Sequence, residues 1–305
     1  MKKNSKSYSK IDKIIIKNAN DDNIIEDTIL CLEGGAFRGV YTSGVLDCLM
    51  MHDINIETTI GVSAGALNGV NYVSGNIGRS AMINLKHRHD PNWVGFKAIK
   101  ENGGIIGFNY VFTGLTKELP FNKDRFFSGK QKLIAVATNI RTGKPEYFDN
   151  RNSLIFKGVQ ASASMPFVST PVKIGDQYYL DGGCATKLPI NYALEHGYKK
   201  IIFVGTRPSD YRRKTNQTAE FFEKTIYRKY PKFVDSLTKM NERYNKDCDL
   251  IDKLVAEGKV FRITPSEAVT VSRLEGNMEK LGGLYELGYN DCEKVINELK
   301  KYLEN

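Results

Sequence analysis

The sequence has few cysteines, and they are not arranged as disulfide or zinc ligands usually are. Its 305 residues include five cysteines at widely separated positions. These are Cys31, Cys48, Cys184, Cys248 and Cys292. There is no C-x-x-C pair and no local grouping of cysteine with histidine, so neither a disulfide framework nor a zinc centre is indicated. We expect reduced thiols, no metal and no cofactor.

Long hydrophobic runs are also missing. Residues 1–20 are rich in lysine, serine and asparagine, and lack the apolar stretch of a signal peptide. The longest uncharged run, residues 58–78, contains five glycines and three asparagines. That composition favours a buried loop and helix over a membrane span. We therefore expect a cytoplasmic protein without a transmembrane segment. Peripheral contact with a membrane is compatible with this expectation.

The charge is unevenly distributed. The hydrophobic share of 41% and the charged share of 26% are typical of a globular protein with a substantial core. Of the net charge of +9, residues 211–246 contribute +6, from ten basic against four acidic side chains. A solvated helical face is the ordinary interpretation. An anionic membrane surface, contacted through Arg212, Arg213, Arg228 and Lys229, is the sharper alternative, and nucleic acid is a less favoured one.

The order of the first elements predicts the fold class. A short apolar strand (28–32) is followed by a glycine turn and a helix (40–51), and then by a second strand (57–61) and helix (64–73). Strand–turn–helix repeats of this kind form parallel sheets with crossover helices. We predict an α/β fold: a three-layer, doubly wound, mainly parallel sheet with a helical C-terminal portion.

Further elements continue this alternation. Additional strands are predicted at 133–138, 146–148, 177–180, 201–204 and 260–263, with helices at 189–196 and 285–303. Residues 103–114, rich in glycine and aromatic residues, are interpreted as a mobile loop. The predicted organisation is a polar tail (1–25), a catalytic α/β core (26–208) and a basic helical portion packed on that core (209–305).

Ser63 is the candidate nucleophile. It lies in Gly61-Val62-Ser63-Ala64-Gly65, where Gly61 and Gly65 allow a sharp strand-to-helix turn that exposes a serine hydroxyl. The positive end of the following helix would favour a developing alkoxide.

The glycine turn Gly34-Gly35-Ala36 is the candidate oxyanion hole. Turns that follow neighbouring parallel strands converge on one crevice, so its backbone N–H groups would face Ser63. The alternative is a phosphate-binding turn. Val40 follows Gly39 where a Walker lysine would be required, and no G-x-G-x-x-G can be written. These mismatches favour the oxyanion hole.

A serine nucleophile needs a base, and histidine is scarce. His52, His87 and His89 have no catalytic setting, and His196 at a predicted helix end is explained by the helix dipole. Asp181 is the better candidate, because it ends an aromatic strand and precedes Gly182 and Gly183. An ordinary Asp-Gly turn is the alternative interpretation.

Taken together, these motifs resemble those of the patatin-like phospholipase family. Residues 33–39, 61–65 and 181–183 carry the resemblance, with residues 161–167 between them; it spans about residues 28–208. The resemblance implies a Ser-Asp dyad in which Ser63 is the nucleophile and Asp181 the general base. It also implies an oxyanion hole at Gly34, Gly35 and Ala36, in a loop braced by Arg38 and Gly39. Ala36 departs from the family, which usually has glycine there.

We therefore expect a serine acyl hydrolase that cleaves carboxylic esters of lipids through an acyl-enzyme. One alternative is an α/β-hydrolase with a Ser63, Asp181 and His196 triad. Another is a basic module that binds anionic membranes or nucleic acid and has a vestigial site. Acyl length and head group are left open.

Overall fold

A mixed eight-stranded sheet forms the centre of the molecule. The structure is a computed structural model that describes residues 6–20, 22–214 and 225–304. The strands are β1 (Ile24–Leu32), β2 (Asn55–Val62), β3 (Lys132–Asn139), β4 (Pro145–Asp149), β5 (Val172–Ile174), β6 (Gln177–Asp181), β7 (Lys200–Val204) and β8 (Val260–Ile263). A separate pair, Lys17–Asn18 and Asn76–Ile77, is antiparallel.

The strand order is β8-β7-β1-β2-β3-β6-β5, with β4 also paired to β3. Neighbours from β8 to β3 run parallel, whereas β4, β5 and β6 join by antiparallel pairing. Side chains of β1 alternate between two buried clusters, Leu30 and Leu32 on one face and Ile29 and Cys31 on the other. The predicted three-layer, mainly parallel α/β fold is confirmed.

Helices cover both faces of the sheet. They are α1 (Val40–Met51), α2 (Ala64–Val73), α3 (Arg79–Leu85), α4 (Phe96–Asn102), α5 (Phe108–Phe112), α6 (Lys123–Phe127), α7 (Ile155–Ser162), α8 (Ile190–Glu195), α9 (Pro231–Thr238), α10 (Met240–Ala256) and α11 (Met278–Glu304). Side chains of α1 and α11 share one buried cluster, and those of α8 and α10 share the other. No helix within the described ranges is long and apolar enough to cross a bilayer.

The prediction of a loop at residues 103–114 is wrong for the second half of this range. Helix α5 occupies its centre, and a 3-10 turn begins at Gly114. The fully buried guanidinium of Arg79 donates to the carbonyl oxygens of Val111 (2.7 Å) and Leu119 (3.1 Å). Helix α5 has only five residues, which is too short for an apolar periodicity to reveal it.

Elements after residue 208 complete the sheet and its helical cover. Strand β8 is an edge strand, and α11 packs closely along α1. A β-carbon at Gly288 would collide with the carbonyl oxygen of Tyr41, and one at Gly44 with that of Tyr285. The boundary near residue 208 stays a prediction. Residues 215–224 of the basic segment lie outside the described residues.

Candidate active site

Ser63 occupies a strained turn between β2 and α2. Its φ of 56° and ψ of −120° are unfavourable for any residue with a β-carbon. The backbone N–H of Ser63 donates to Ser162 Oγ at 2.8 Å, which holds the turn. A β-carbon at Gly65 would lie 2.6 Å from the carbonyl oxygen of Leu32, so only glycine fits this close approach. Ser63 is therefore presented in the geometry of a nucleophile elbow.

Asp181 lies at the end of β6, in hydrogen-bond contact with Ser63. Ser63 Oγ donates to Asp181 Oδ2 at 2.6 Å, and the N–H of Gly183 donates to Oδ1 at 2.7 Å. The N–H of Asp181 donates to the carbonyl oxygen of Ser164 at 2.8 Å. Gly182 and Gly183 continue from the strand into a 3-10 turn. Both carboxylate oxygens and the backbone of Asp181 are thus held in place.

Burial raises the pKa of Asp181 above its ordinary value. Lys187, the Ser63 hydroxyl, the Gly183 N–H and Arg273 oppose this rise, because each stabilises the carboxylate. Lys187 has its own pKa lowered to about 7, chiefly by burial and also by Arg213. A carboxylate with a raised pKa is a better proton acceptor than an ordinary aspartate.

The backbone N–H groups of Gly34, Gly35 and Ala36 are unengaged. None of the three donates to another described residue, and all three residues line a cavity shared with Ser63 and Asp181. Ala36 adopts a φ of 50°, which is strained for alanine. Successive free amides of this kind can bind an anionic oxygen.

The loop that carries these amides is held mainly through its backbone. The Gly39 carbonyl accepts from Asn68 Nδ2 at 2.8 Å, and the Phe37 N–H donates to the Arg273 carbonyl at 3.4 Å. Arg38, predicted to brace the loop, is 5% exposed, yet its guanidinium donates no hydrogen bond to a described residue. Burial lowers the pKa of Arg38 to about 10.

The histidines make contacts elsewhere. His196 Nδ1 lies 2.8 Å from the Tyr192 carbonyl oxygen, and its ring stacks on that of Tyr192. His52 contacts Glu293, His87 contacts Glu118, and His89 contacts the Gly276 carbonyl. No histidine forms a hydrogen bond with Ser63 or Asp181 within the described ranges.

One group in the described part of the chain has donor atoms suited to a metal ion. Cys48, His52 and Glu293 place one ligand atom each within 4.8 Å of one another, between α1 and α11. His52 Nε2 and Glu293 Oε2 already pair at 2.8 Å. This group corrects the expectation of no local cysteine–histidine grouping, because Cys48 and His52 lie four residues apart. Glu293 is remote in the chain and gave no sequence signal.

Ser63 lies between two cavities of different character. One is lined mainly by apolar side chains, including Leu67, Ile83, Trp93, Val111 and Phe112, and also borders Arg273. The other contains Asp181 together with the cations Arg38, Lys187 and Arg273. Sequence reasoning singled out neither Ser162 nor Lys187 nor Arg273, because only the folded chain brings them to the serine.

The chain matches a known family. Residues 30–194 match the family described as patatin-like phospholipase, which is more than half of the chain. The chain belongs to that family, as its motifs predicted. Residues 230–304 match a second family, described as a domain of unknown function (DUF6363).

Individual relatives are distant. The chain is 24% identical to the uncharacterized protein YjjU of Escherichia coli, over 85% of this chain and 74% of that protein. It is 28% identical to the probable lipid hydrolase 463L of Invertebrate iridescent virus 6, over 63% of this chain and 74% of that protein. Among solved structures, VipD from Legionella pneumophila aligns with a TM-score of 0.49 and 13% identity, over 98% of this chain and 72% of VipD.

Proposed function

We propose that this protein is a serine acyl hydrolase that cleaves carboxylic esters of lipids, of phospholipase A, lysophospholipase or esterase type. The observation that carries the proposal is the 2.6 Å hydrogen bond from Ser63 Oγ to Asp181 Oδ2, beside three unengaged backbone amides. Membership of the patatin-like phospholipase family and the likeness to a probable lipid hydrolase support it.

In the first half-reaction, Ser63 Oγ attacks the ester carbonyl carbon and its proton passes to Asp181 Oδ2. The carbonyl oxygen becomes an oxyanion, which the N–H groups of Gly34, Gly35 and Ala36 stabilise. The tetrahedral intermediate then collapses, the C–O bond to the alcohol breaks, and the departing oxygen takes the proton from Asp181. This leaves an acyl group on Ser63.

In the second half-reaction, water loses a proton to Asp181 and attacks the acyl carbon. Collapse releases the fatty acid and returns the proton to Ser63. Asp181 must be ionised to accept a proton, so activity falls as the pH drops through its pKa. Because burial raises that pKa, the acid limb of the pH profile lies above the ordinary range of an aspartate.

A dyad fits the contacts better than a triad. A Ser63, Asp181 and His196 triad would need a histidine between serine and acid, but Ser63 donates directly to Asp181. His196 instead contacts the carbonyl oxygen of Tyr192 and stacks on its ring. Asp181→Asn is therefore expected to abolish ester hydrolysis, and His196→Ala to leave it largely intact.

Serine-directed labelling tests the nucleophile. A fluorophosphonate probe should label the folded wild-type protein and not Ser63→Ala, and Ser63→Ala should be inactive on a panel of chromogenic esters and defined phospholipids. Activity of Asp181→Asn, or failure of the probe to label folded wild-type protein, would overturn the proposal.

Peripheral contact with an anionic membrane is a second element of the proposal. The exposed ring of Phe167, in the cavity wall, lies 5.5 Å from that of Tyr227, and exposed Ile226, Arg228 and Lys229 flank that tyrosine. An apolar rim beside cations is typical of interfacial binding. Loss of binding to anionic vesicles in an Arg228→Gln, Lys229→Gln variant would support this contact; unchanged binding would exclude it.

Arg212 and Arg213, also in the basic segment, are less available to contact a membrane or nucleic acid. Arg212 pairs with Asp249 and Asp252 at 2.8 and 2.6 Å, and Arg213 lies over the ring of Tyr244. This internal pairing reduces the cationic surface and weakens the alternative of a nucleic-acid module.

A further inference from the structure

Three cations lie on one side of Ser63 and Asp181. Arg38, Lys187 and Arg273 line the cavity that contains Ser63 and Asp181. No side-chain nitrogen of these three donates a hydrogen bond to any residue in the described ranges, and Arg38 Nε is fully buried. Arg38 is buried, whereas Lys187 is half-buried and Arg273 is exposed. A buried cation without a partner is costly, so the retention of Arg38 in a folded protein calls for a ligand or another compensating role.

Acidic groups near this cavity do not balance the cations. Glu33 Oε2 accepts the N–H of Thr206 at 2.6 Å, and Asp181 is engaged by Ser63 and Gly183. Two further arginines, Arg207 and Arg213, add positive potential at Arg38 and leave their own Nε atoms unpaired. The cavity itself holds two arginines and Lys187, whose pKa of about 7 leaves it partly protonated at neutral pH. The nearby acids, Glu33 and Asp181, each already accept hydrogen bonds.

The cavity on the other side of Ser63 is suited to a different part of a substrate. Its walls include Leu67, Ile83, Trp93, Val111 and Phe112, and it shares Ser63, Ala36 and Arg273 with the first cavity. Arg38 and Lys187 line only the first cavity. An ester bound at Ser63 would have an apolar wall for its acyl chain and a cationic wall for the group beyond the alcohol oxygen. Electrostatic complementarity of this kind selects between head groups.

We propose that the cavity lined by Arg38, Lys187 and Arg273 binds the negatively charged head group of a lipid, and that the protein prefers anionic phosphodiester lipids over zwitterionic ones. This rests on the proposed function. A zwitterionic head group carries an ammonium that would face these cations, with no acidic side chain among the described cavity residues free to pair with it.

The test uses monomeric substrates, so that attraction to a charged interface plays no part. Dihexanoyl-phosphatidylglycerol, dihexanoyl-phosphatidylcholine and dihexanoylglycerol share their acyl chains and differ in head-group charge. The wild type should show a kcat/KM at least tenfold higher for phosphatidylglycerol than for phosphatidylcholine. Arg273→Gln and Lys187→Gln should each reduce that ratio at least fivefold, mainly through KM. Arg273 is solvent-exposed, which makes its variant the safer one for folding.

Lys173→Gln is the matched control, since Lys173 is an exposed cation on β5 that does not line the cavity. Its ratio should equal that of the wild type. A wild-type ratio near one, or a ratio that neither cavity variant changes, would overturn the head-group site while Ser63-dependent hydrolysis leaves the proposed function standing.

Calorimetry with glycerophosphoglycerol, the soluble head group, tests binding without hydrolysis. It also distinguishes a head-group site from a site for free phosphate. Binding to Ser63→Ala that Arg273→Gln weakens supports the site even if no ester is hydrolysed. Equal or tighter binding of inorganic phosphate, with none of glycerophosphoglycerol, would mean that the site takes free phosphate and would overturn the head-group assignment.

Discussion

The backbone N–H of Ser63 donates to the hydroxyl of Ser162 at 2.8 Å, which joins the nucleophile turn to the end of α7. Two residues further on, the carbonyl of Ser164 accepts the N–H of Asp181. One short stretch therefore positions both Ser63 and Asp181. In the sequence, only the family resemblance of residues 161–167 points to this stretch.

Replacing Ser162 tests that positioning. Ser162→Ala removes the acceptor of the buried Ser63 N–H, which is expected to lower the free energy of unfolding by about 1–3 kcal/mol. Displacement of Ser63 should also reduce kcat by roughly 10–100-fold. Ser164→Ala is the control, because Ser164 contacts Asp181 through its backbone carbonyl and its hydroxyl only bonds Gln160. Equal kcat values for the two variants would contradict the assigned role.

The strained Ala36 offers a stabilising substitution. Ala36→Gly should raise the free energy of unfolding by about 1 kcal/mol, since its φ of 50° penalises a β-carbon and not glycine. Ala193→Gly, within the regular helix α8, should instead lower it by about 1 kcal/mol. Urea unfolding of both variants checks the signs; destabilisation by Ala36→Gly would show that the alanine is not under strain.

Arg79 supports one wall of the apolar cavity. Arg79→Leu leaves the carbonyls of Val111 and Leu119 and the side chain of Asn71 without their hydrogen-bond donor. We therefore expect the free energy of unfolding to fall by about 3 kcal/mol. The preference among p-nitrophenyl esters of different chain length should flatten as α5 loosens. Arg79→Lys keeps the charge but not the three-pronged geometry, and should show a large part of both effects. An unchanged preference for acyl-chain length in these variants would show that α5 does not contribute to substrate selection.

Asp47 predicts a pH dependence of stability. Its buried carboxylate accepts the Gly78 N–H and the Tyr285 hydroxyl, and burial raises its pKa to about 7. The folded protein thus holds a proton that the unfolded chain releases near pH 4, so this contribution to stability is full below pH 4 and is lost as pH rises to about 7. Asp47→Asn should remove that loss and raise the free energy of unfolding at pH 8 by on the order of 2 kcal/mol. Urea midpoints from pH 4 to 8 measure it; parallel pH profiles for both proteins would refute it.

Features that depend on neighbouring residues could be predicted from the sequence, whereas features that depend on contacts between distant residues could not. Helices α1 and α2 have the predicted bounds, because each directly follows a glycine-bearing turn and has a clear apolar periodicity. Ser63, Asp181 and the loop of Gly34 were identified from motifs that turn geometry imposes on neighbouring residues. Lys187 and Arg273 carry no such signal: their significance depends on which cavity they line, and on the absence of described partners there, which only the folded chain decides.

The glycine contact between α1 and α11 bears on how the sequence is divided. Helix α1 follows directly from the loop of unengaged amides, and the segment at Gly44 has room only for the backbone of α11 at Gly288. The patatin-like match ends at residue 194, and α11 lies wholly within the second match. The helix that follows the loop of Gly34 therefore packs against a helix from a region that matches a second family. A chain cut between the two matches would also lose Arg273 and Leu274, which line both cavities beside Ser63.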